Sequence, residues 1–470
     1  MSTIQRWTLT VVCAATAMLM LDIAVVNTAL SDIAADLNTG LSGLQWVVDA
    51  YTLALAATVL TAGSLADRLG RRRMFTAGLA IFTATSVVCA AATDITMLNS
   101  ARAAQGIGAA IMFAVSLSLL SQAFPGMQER SKALAFYGAS IGASFAIGPA
   151  VGGALTSGLA WQWIFIINVP LGLACLYITR RYVLESRDPA APRIDWAGQA
   201  TLTVGLFLLV LALLRGNEEG WASTPIVAAL AGAAVFIAAF VAIQARVSNP
   251  MLPLRLFRNG NFTGAQVAAF SISSTFFAVF LYITLYLQQI LGLSAIEAGL
   301  VYLPGTIVMF LVAGASAGLV EKVGARSMIV AGLGLVALGC ALLTSADVDS
   351  SWTVFLPGSI IAMIGTGMFN PAVTAVALGS VPAEQSGLAA GVNDTFRQAG
   401  IAVGVAALGA LVPAAAAFGE GSPQSYVSGM NDALWVCAVT CAAGAVACVM
   451  LIAGRQKAVQ PAGELAFDAA

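Results

Sequence analysis

Long apolar stretches alternate with short polar links along almost the whole chain, and fourteen of the stretches reach the length of about 20 residues needed to cross a hydrocarbon core as a helix. Their approximate limits are residues 8–30, 43–66, 74–93, 97–122, 132–156, 162–183, 196–214, 223–245, 263–291, 298–320, 327–345, 353–379, 387–413 and 431–453. A backbone buried in lipid must satisfy its hydrogen bonds within the segment, so the pattern predicts an all-α polytopic membrane protein with 14 transmembrane helices. The basic residues test the count. If the spans alternate in direction, Arg6, Arg68, Arg71, Arg72, Arg73, Arg130, Lys132, Arg180, Arg181, Arg187, Arg193, Arg246, Arg255, Arg258, Lys322, Arg326, Arg455 and Lys457 fall on one side, which is 18 of the 21. Arg215 lies opposite, and Arg102 and Arg397 lie within spans. Such a bias puts both termini in the cytoplasm, and a missed span would scramble it.

Composition agrees. The 470 residues are 59% hydrophobic and 9% charged, against about 25% charged for soluble domains. The seven cysteines all fall in apolar stretches, where a small buried hydrophobe is the expected role. Histidine is absent, so a proton-linked step would fall to carboxylates. The apolar run after Arg6 has no convincing cleavage site and is read as a retained first span.

The link between the second and third spans, Gly63-Ser64-Leu65-Ala66-Asp67-Arg68-Leu69-Gly70-Arg71-Arg72-Arg73, holds one acid and four arginines. It is too short for a folded domain, and its glycines let two helix ends turn and approach. It reads either as a positive-inside anchor or as a latch in which Asp67 accepts hydrogen bonds from arginines or helix ends. A weaker copy, Ala317-Gly318-Leu319-Val320-Glu321-Lys322-Val323-Gly324-Ala325-Arg326, lies 254 residues later. The repetition predicts two six-helix bundles with an inserted helix pair. The expected divisions are 1–190, 191–260 for the pair and its linker, 261–455, and a cytoplasmic tail over 456–470. A cargo site near the midplane between two repeats follows from that design.

Charges inside the spans cost at least about 2.5 kcal/mol each on insertion scales and are suspected of function. Asp22 lies in the outer half of the first span, Asp49 inside the outer end of the second, and Arg102 at similar depth in the fourth, so a cluster of two acids and one base is expected. It could be a static salt bridge that fixes packing. Alternatively it titrates: burial and a nearby arginine push a carboxyl's proton affinity in opposite directions, and two acids sharing one base leave at least one short of a partner. Asp22 and Asp49 are then the groups expected to carry a proton, with Arg102 setting their affinities. Asp394 and Arg397, one turn apart in the thirteenth span, are expected to form an intrahelical pair or to serve gating or cargo contact.

The fifth span carries a small-residue stripe of Gly138, Gly142, Ala146, Pro149 and Gly153, with Gly148 and Gly152 beside it. It reads as ordinary close packing or as a surface on which the bundles rock, bent at the proline. On the second reading Gly148→Leu blocks transport without unfolding the protein. Phe276, Phe280, Tyr282 and Tyr286 recur at helical spacing in the ninth span, as filler, lipid-facing groups or lining for planar compounds.

These motifs resemble those of the major facilitator superfamily. G-x-x-x-D-R-x-G-R-R at Gly63, Asp67, Arg68, Gly70, Arg71 and Arg72 is similar to its signature loop. Leu21-Asp22-Ile23-Ala24-Val25-Val26-Asn27-Thr28-Ala29-Leu30, Arg102-x-x-Gln105-Gly106-x-Gly108 and the fifth span's G-x-x-x-G-P-x-x-G-G ending resemble those of its fourteen-span drug:proton antiporters. The resemblance implies a proton link at Arg102, an export-type glycine helix, cationic cargo in members with an acid like Asp49, and packing or gating for the segment around Arg397. The expected activity is proton-coupled export of hydrophobic or cationic drugs from a bacterial cytoplasm by a multi-pass protein of the inner membrane. A dedicated exporter of one metabolite, antibiotic or lipid, and a non-transporting membrane sensor, are the alternatives. Lipid, protons and small hydrophobic compounds are the expected partners of a chain working as a monomer. No cofactor, metal, nucleic-acid partner or enzymatic site is expected, and no nucleotide-binding lysine motif is present.

Overall fold

The computed structural model describes residues 1–187, 194–382, 385–413 and 421–453. The expectations for Arg193, the Glu321 side chain, Arg455, Lys457 and the 456–470 tail lie outside the described residues. Those residues form fourteen long helices and no strand. They are α1 Thr3–Asp36, α2 Leu41–Leu69, α3 Arg71–Ala90, α4 Ile95–Ala123, α5 Met127–Gly158, α6 Trp163–Tyr182, α7 Trp196–Glu219, α8 Thr224–Arg246, α9 Gly260–Ile290, α10 Ala295–Val323, α11 Ala325–Leu343, α12 Phe355–Gly379, α13 Ser386–Gly409 and α14 Pro423–Leu451. Thirteen are apolar enough to cross a membrane by length and composition. The polar run Asn393-Asp394-Thr395-Phe396-Arg397-Gln398 lowers the hydropathy of the remaining one, α13.

Helix ends overrun the apolar limits because polar caps close them outside the hydrocarbon. Ser2 and Gln5 make a reciprocal capping box at α1, as Ser294 and Glu297 do at α10. Gly70, at φ +113°, closes α2 and opens α3, and Gly324, at φ +95°, does the same between α10 and α11. The internal repeat is therefore a repeat of backbone shape: a left-handed turn that only glycine adopts cheaply.

Helices α1–α6 pack on one another, with α2 against α4, α1 against α5, and α3 against α4 and α6. Helices α9–α14 form a second bundle, in which α11 meets α12 and α14 while α10 meets α12. The bundles join along α5–α10 and α2–α13. Helix α7 packs on α8 and touches both α2 and α13, so the inserted pair leans on the seam. Its Gln199 donates to the Ala57 carbonyl (2.9 Å) and accepts from the Thr61 hydroxyl, and Asn217 near its other end donates to the Ala410 carbonyl (2.7 Å).

The α5 stripe divides between two neighbours. A Cβ at Gly153 would run into the backbone of Ala295 and Ile296, and one at Gly142 would press the Phe310 ring at 3.3 Å, both on α10. Gly148 and Gly152 instead meet Ala24, Val25 and Thr28 of α1, within their own bundle. Gly138 faces open space, as do Gly314 and Gly318 on α10. Thus α5 and α10 touch closely from mid-helix to the end remote from the Gly63–Arg73 loop and part towards the loop end.

This corrects the expectation for Gly148, whose substitution collides inside one bundle. Gly148→Leu is expected to cost about 1–3 kcal/mol of stability, the usual penalty of overpacking, read as a lower thermal midpoint in detergent. Gly153→Leu should fold but fail to close the α5–α10 seam, measured as lost protection from a water-soluble maleimide of a cysteine placed at Ala295, which is buried against Gly153 in the parent. Equal destabilisation by the two leucines would contradict this division.

Candidate functional site

The buried charges of the first bundle form one cluster around Asp22, which is 0% exposed. Arg102 (2% exposed) donates through Nη1 to Asp22 Oδ2 at 2.6 Å. Gln105 Nε2 and Asn168 Nδ2 donate to Asp22 Oδ1 at 3.1 and 2.9 Å. Further bonds tie the cluster together, although the Asn168 Oδ1 is left without a partner. Arg102 Nη1 also donates to Gln105 Oε1 at 2.6 Å, its Nε donates to the Val47 carbonyl at 3.1 Å, and Gln105 donates to the Ser86 hydroxyl at 2.9 Å. The guanidinium lies 4.2 Å from the centroid of the Tyr51 ring, a cation–π contact on its uncharged face.

The spacing of the fourth-span motif has a physical cause. Arg102 and Gln105 are one helical turn apart and so share a face. Gly106 lets the Tyr51 carbonyl of α2 approach α4 where a Cβ would collide, and Gly108 does the same for Phe82 of α3. Sequence reasoning missed Asn168, Ser86 and Tyr51. A signal existed for Asn168, a polar side chain in the apolar run Ile164-Phe165-Ile166-Ile167-Asn168-Val169.

Asp49 does not join the cluster. It too is 0% exposed, yet neither of its carboxyl oxygens has a hydrogen-bond partner. Nearby donors are committed elsewhere: the Thr52 hydroxyl bonds the Val48 carbonyl at 3.1 Å, and Gln45 Nε2 donates to the Tyr282 hydroxyl at 2.8 Å. Tyr282 in turn donates to the Val405 carbonyl of α13. The expected triangle of Asp22, Asp49 and Arg102 is therefore a pair and a lone acid: Arg102 bonds Asp22, Gln105 and Val47, and Asp49 has no partner.

Other links join the bundles at the end remote from the loop. Gln288 Nε2 donates to the Thr28 carbonyl at 2.8 Å, and the Ile296 amide donates to Ser157 Oγ at 3.0 Å. Near mid-helix the Thr306 hydroxyl donates to the Ala146 carbonyl at 2.7 Å. Between the bundles lies a narrow cleft of about 30 Å³ lined by Ala24, Asn27, Phe145, Phe277, Phe280 and Val405, room for a water molecule or two.

In the second bundle the expected Asp394–Arg397 pair does not form. Asp394 Oδ2 is buried without a partner, and the Arg397 guanidinium points to the Phe277 ring, 6.0 Å from its centroid. Spacing of three brings side chains near but does not force contact when one rotamer is drawn elsewhere. Phe276, Phe280, Tyr282 and Tyr286 are all buried, which corrects the lipid-facing reading. They lie on α9, which widens into π-helical turns at Ser273–Phe277 and Tyr286–Ile290.

At the loop, Arg71 donates through Nε and Nη2 to Asp67 Oδ1 at 3.0 and 2.8 Å, so Asp67 is held inside its own hairpin. Glu185, which sequence reasoning passed over, caps α3: its carboxylate accepts from the Arg72 and Arg73 amides at 3.0 and 3.2 Å. A carboxylate there satisfies orphan amides and complements the helix dipole. Arg68 is exposed. In the second copy, Arg326 donates to the Val449 carbonyl at 2.7 Å.

Two bundles sealed at one end, joined through glycine helices and carrying charges at mid-membrane, define a membrane transport protein. Residues 12–405 and 315–465 match the Major Facilitator Superfamily, and the chain belongs to that family. It is 38% identical over 400 residues to the multidrug resistance protein Stp of Mycobacterium tuberculosis (strain CDC 1551 / Oshkosh), covering 84% of this chain and 74% of Stp. It is 35% identical over 397 residues to the multidrug transporter protein MdtP of Bacillus subtilis (strain 168), covering 84% and 73%. The crystal structure of the peptide transporter POT in complex with sulfate shares the fold, with a TM-score of 0.67 at 15% identity over 95% of this chain and 96% of that one. The family is one of transporters, and the chain is not an enzyme.

Arg102→Ala leaves Asp22 buried without its cation and should cost about 3–5 kcal/mol, seen as a large drop in thermal midpoint. Asp49→Asn breaks no bond and should leave the midpoint near that of the parent. The reverse order would show that Arg102 serves Asp49.

Proposed function

We propose that the chain is a proton-coupled antiporter of the fourteen-span drug:proton type, exporting hydrophobic compounds, cationic ones among them, from a bacterial cytoplasm. The names of Stp and MdtP support drug export, and the intramembrane acids support the proton link. The loop end, with both termini, faces the cytoplasm in this reading, in keeping with the distribution of basic residues. The protein works as a monomer with bundles over 1–190 and 261–455. The conformation is then closed to the outside, with α5 and α10 parted towards the cytoplasm.

One observation carries the proton assignment: Asp49 is a fully buried carboxyl whose oxygens have no partner, on the helix whose Gln45 helps seal the outer end. An ionised carboxyl left so would be an uncompensated buried charge costing several kcal/mol, and a proton removes that cost. Proton uptake from outside onto Asp49 permits the closed state, and release to the cytoplasm charges the site and favours reopening of the seam to water. A cationic cargo could meet the same charge, so cargo and proton would compete for one carboxylate. Asp22 and Arg102 keep a supporting part: their cluster fixes the depth of α2 through Val47. Asp67–Arg71 and the Glu185 cap are the loop-end parts that rearrange when the cytoplasmic side closes.

The test is movement of a fluorescent lipophilic cation in everted vesicles, with a pH gradient imposed and then collapsed by an ionophore. The parent protein should move the dye only while the gradient lasts. Asp49→Asn should reduce this movement to that of vesicles lacking the protein, with membrane insertion unchanged. Gradient-driven movement by Asp49→Asn at the parent rate would overturn the assignment, and parent movement indifferent to the ionophore would overturn proton coupling.

A further inference from the structure

The midplane cleft does not end at α9. On the far side of that helix, inside the second bundle, is a smaller cavity of about 10 Å³ lined by Phe276, Tyr302, Phe355 and Met363 among others. Phe280 lines both spaces. Its ring stacks on Tyr302, with centroids 4.0 Å apart and planes 24° apart, while the Phe276 ring meets it nearly edge-on at 6.3 Å.

The members of this wall are not equally fixed. Tyr302 is tied through its hydroxyl to the Thr284 hydroxyl at 3.0 Å, so its ring face is held in place. Phe280 has no polar anchor, and its segment Ala278–Leu285 lies between the two π-helical turns of α9. Such turns carry an extra residue in the spiral and occur frequently at functional sites. Met363 behind the wall is an unbranched side chain that reshapes readily.

We infer that Phe280 is a displaceable partition, and that a flat polycyclic aromatic cargo takes its place on the Tyr302 face and spans both cavities. This rests on the export reading and adds the shape of compound the site accepts. A planar ring reproduces the stack that Phe280 gives up, so exchange costs little. A bulky tetrahedral cation cannot lay an extended planar face on Tyr302 and stays in the outer cleft. The two cavities as found hold only water-sized volumes, so admission of a ring requires Phe280 to move.

The experiment uses the purified full chain in detergent, with acridine orange as the flat probe and tetraphenylphosphonium as the non-planar one. Binding is read by fluorescence polarisation of the first and by competition with the second. Phe280→Ala removes the partition and should tighten acridine orange about three- to tenfold, the range of one aromatic contact, with tetraphenylphosphonium unchanged. Phe280→Leu should act in the same direction, and it decides the matter if the alanine variant does not fold. Tyr302→Leu should weaken the flat probe alone by a similar factor. Adding Met363→Phe to Phe280→Ala refills the inner cavity and should return the flat probe to its parent affinity.

An unchanged ratio of the two affinities in the Phe280 and Tyr302 variants, or equal tightening of both probes, would overturn the partition. Transport of the same probes in everted vesicles separates the two readings. If the parent moves neither probe while the affinity ratio shifts as expected, the partition stands and export fails. Parent transport with an unmoved ratio has the opposite meaning.

Discussion

Asp22 is the charge on which the first bundle is organised. Through Arg102, Gln105, Asn168, Ser86 and Val47, its network draws side chains or backbone from α1, α2, α3, α4 and α6, five of the six helices, to one depth in the membrane. In a low-dielectric interior such a network is worth having only when nearly every donor and acceptor is used. Here three donors reach one carboxylate, and the guanidinium is backed by an aromatic ring. The helix left out is α5, held by glycine contacts to α1 on one side and to α10 on the other. The buried charge network thus reaches every helix of the bundle except α5, one of the two helices along which the bundles join.

The second bundle is built differently. It has no buried ion pair among the described residues, its acid Asp394 has an unpartnered oxygen, and α9 is interrupted by two π-helical turns. Aromatic side chains fill the space that hydrogen bonds fill in the first half. Stacked rings tolerate displacement better than a saturated charge network does, because they lose contact gradually rather than exposing an unpaired charge. The buried ion pair thus lies in the first half, and the stacked rings of Phe280 and Tyr302 lie in the second.

Asp49 sits where the two designs meet. Its neighbour Gln45 reaches across to Tyr282, and Tyr282 reaches on to Val405, so one polar chain crosses the seam one turn from an unpaired carboxyl. In the proposed mechanism, a change in that charge acts on the seam through Gln45 and Tyr282. The inserted α7 bears on the same seam from outside, with Gln199 on α2 and Asn217 on α13.

Much of this was legible in the chain before folding. Fourteen spans, their alternation, the repeated glycine-centred loop and the list of suspect charges followed from hydropathy and spacing, since lipid imposes length, internal hydrogen bonding and a cost for every charge on each segment by itself. Partnership was not legible. Asp22 and Asp49 look alike in sequence and stand at similar depth, yet only Asp22 is paired with Arg102; Asp394 and Arg397 have the spacing of a pair and do not form one; Gly148 and Gly153 belong to one motif and face different bundles. Each outcome depends on the rotation of a helix about its axis and on donors from helices distant in the chain, such as Asn168 for Asp22 and Glu185 for α3. The residues alone determined which groups cross the membrane and which are costly to bury there; only tertiary packing decided which of those costs were met, because a hydrogen bond is made at one distance and one angle.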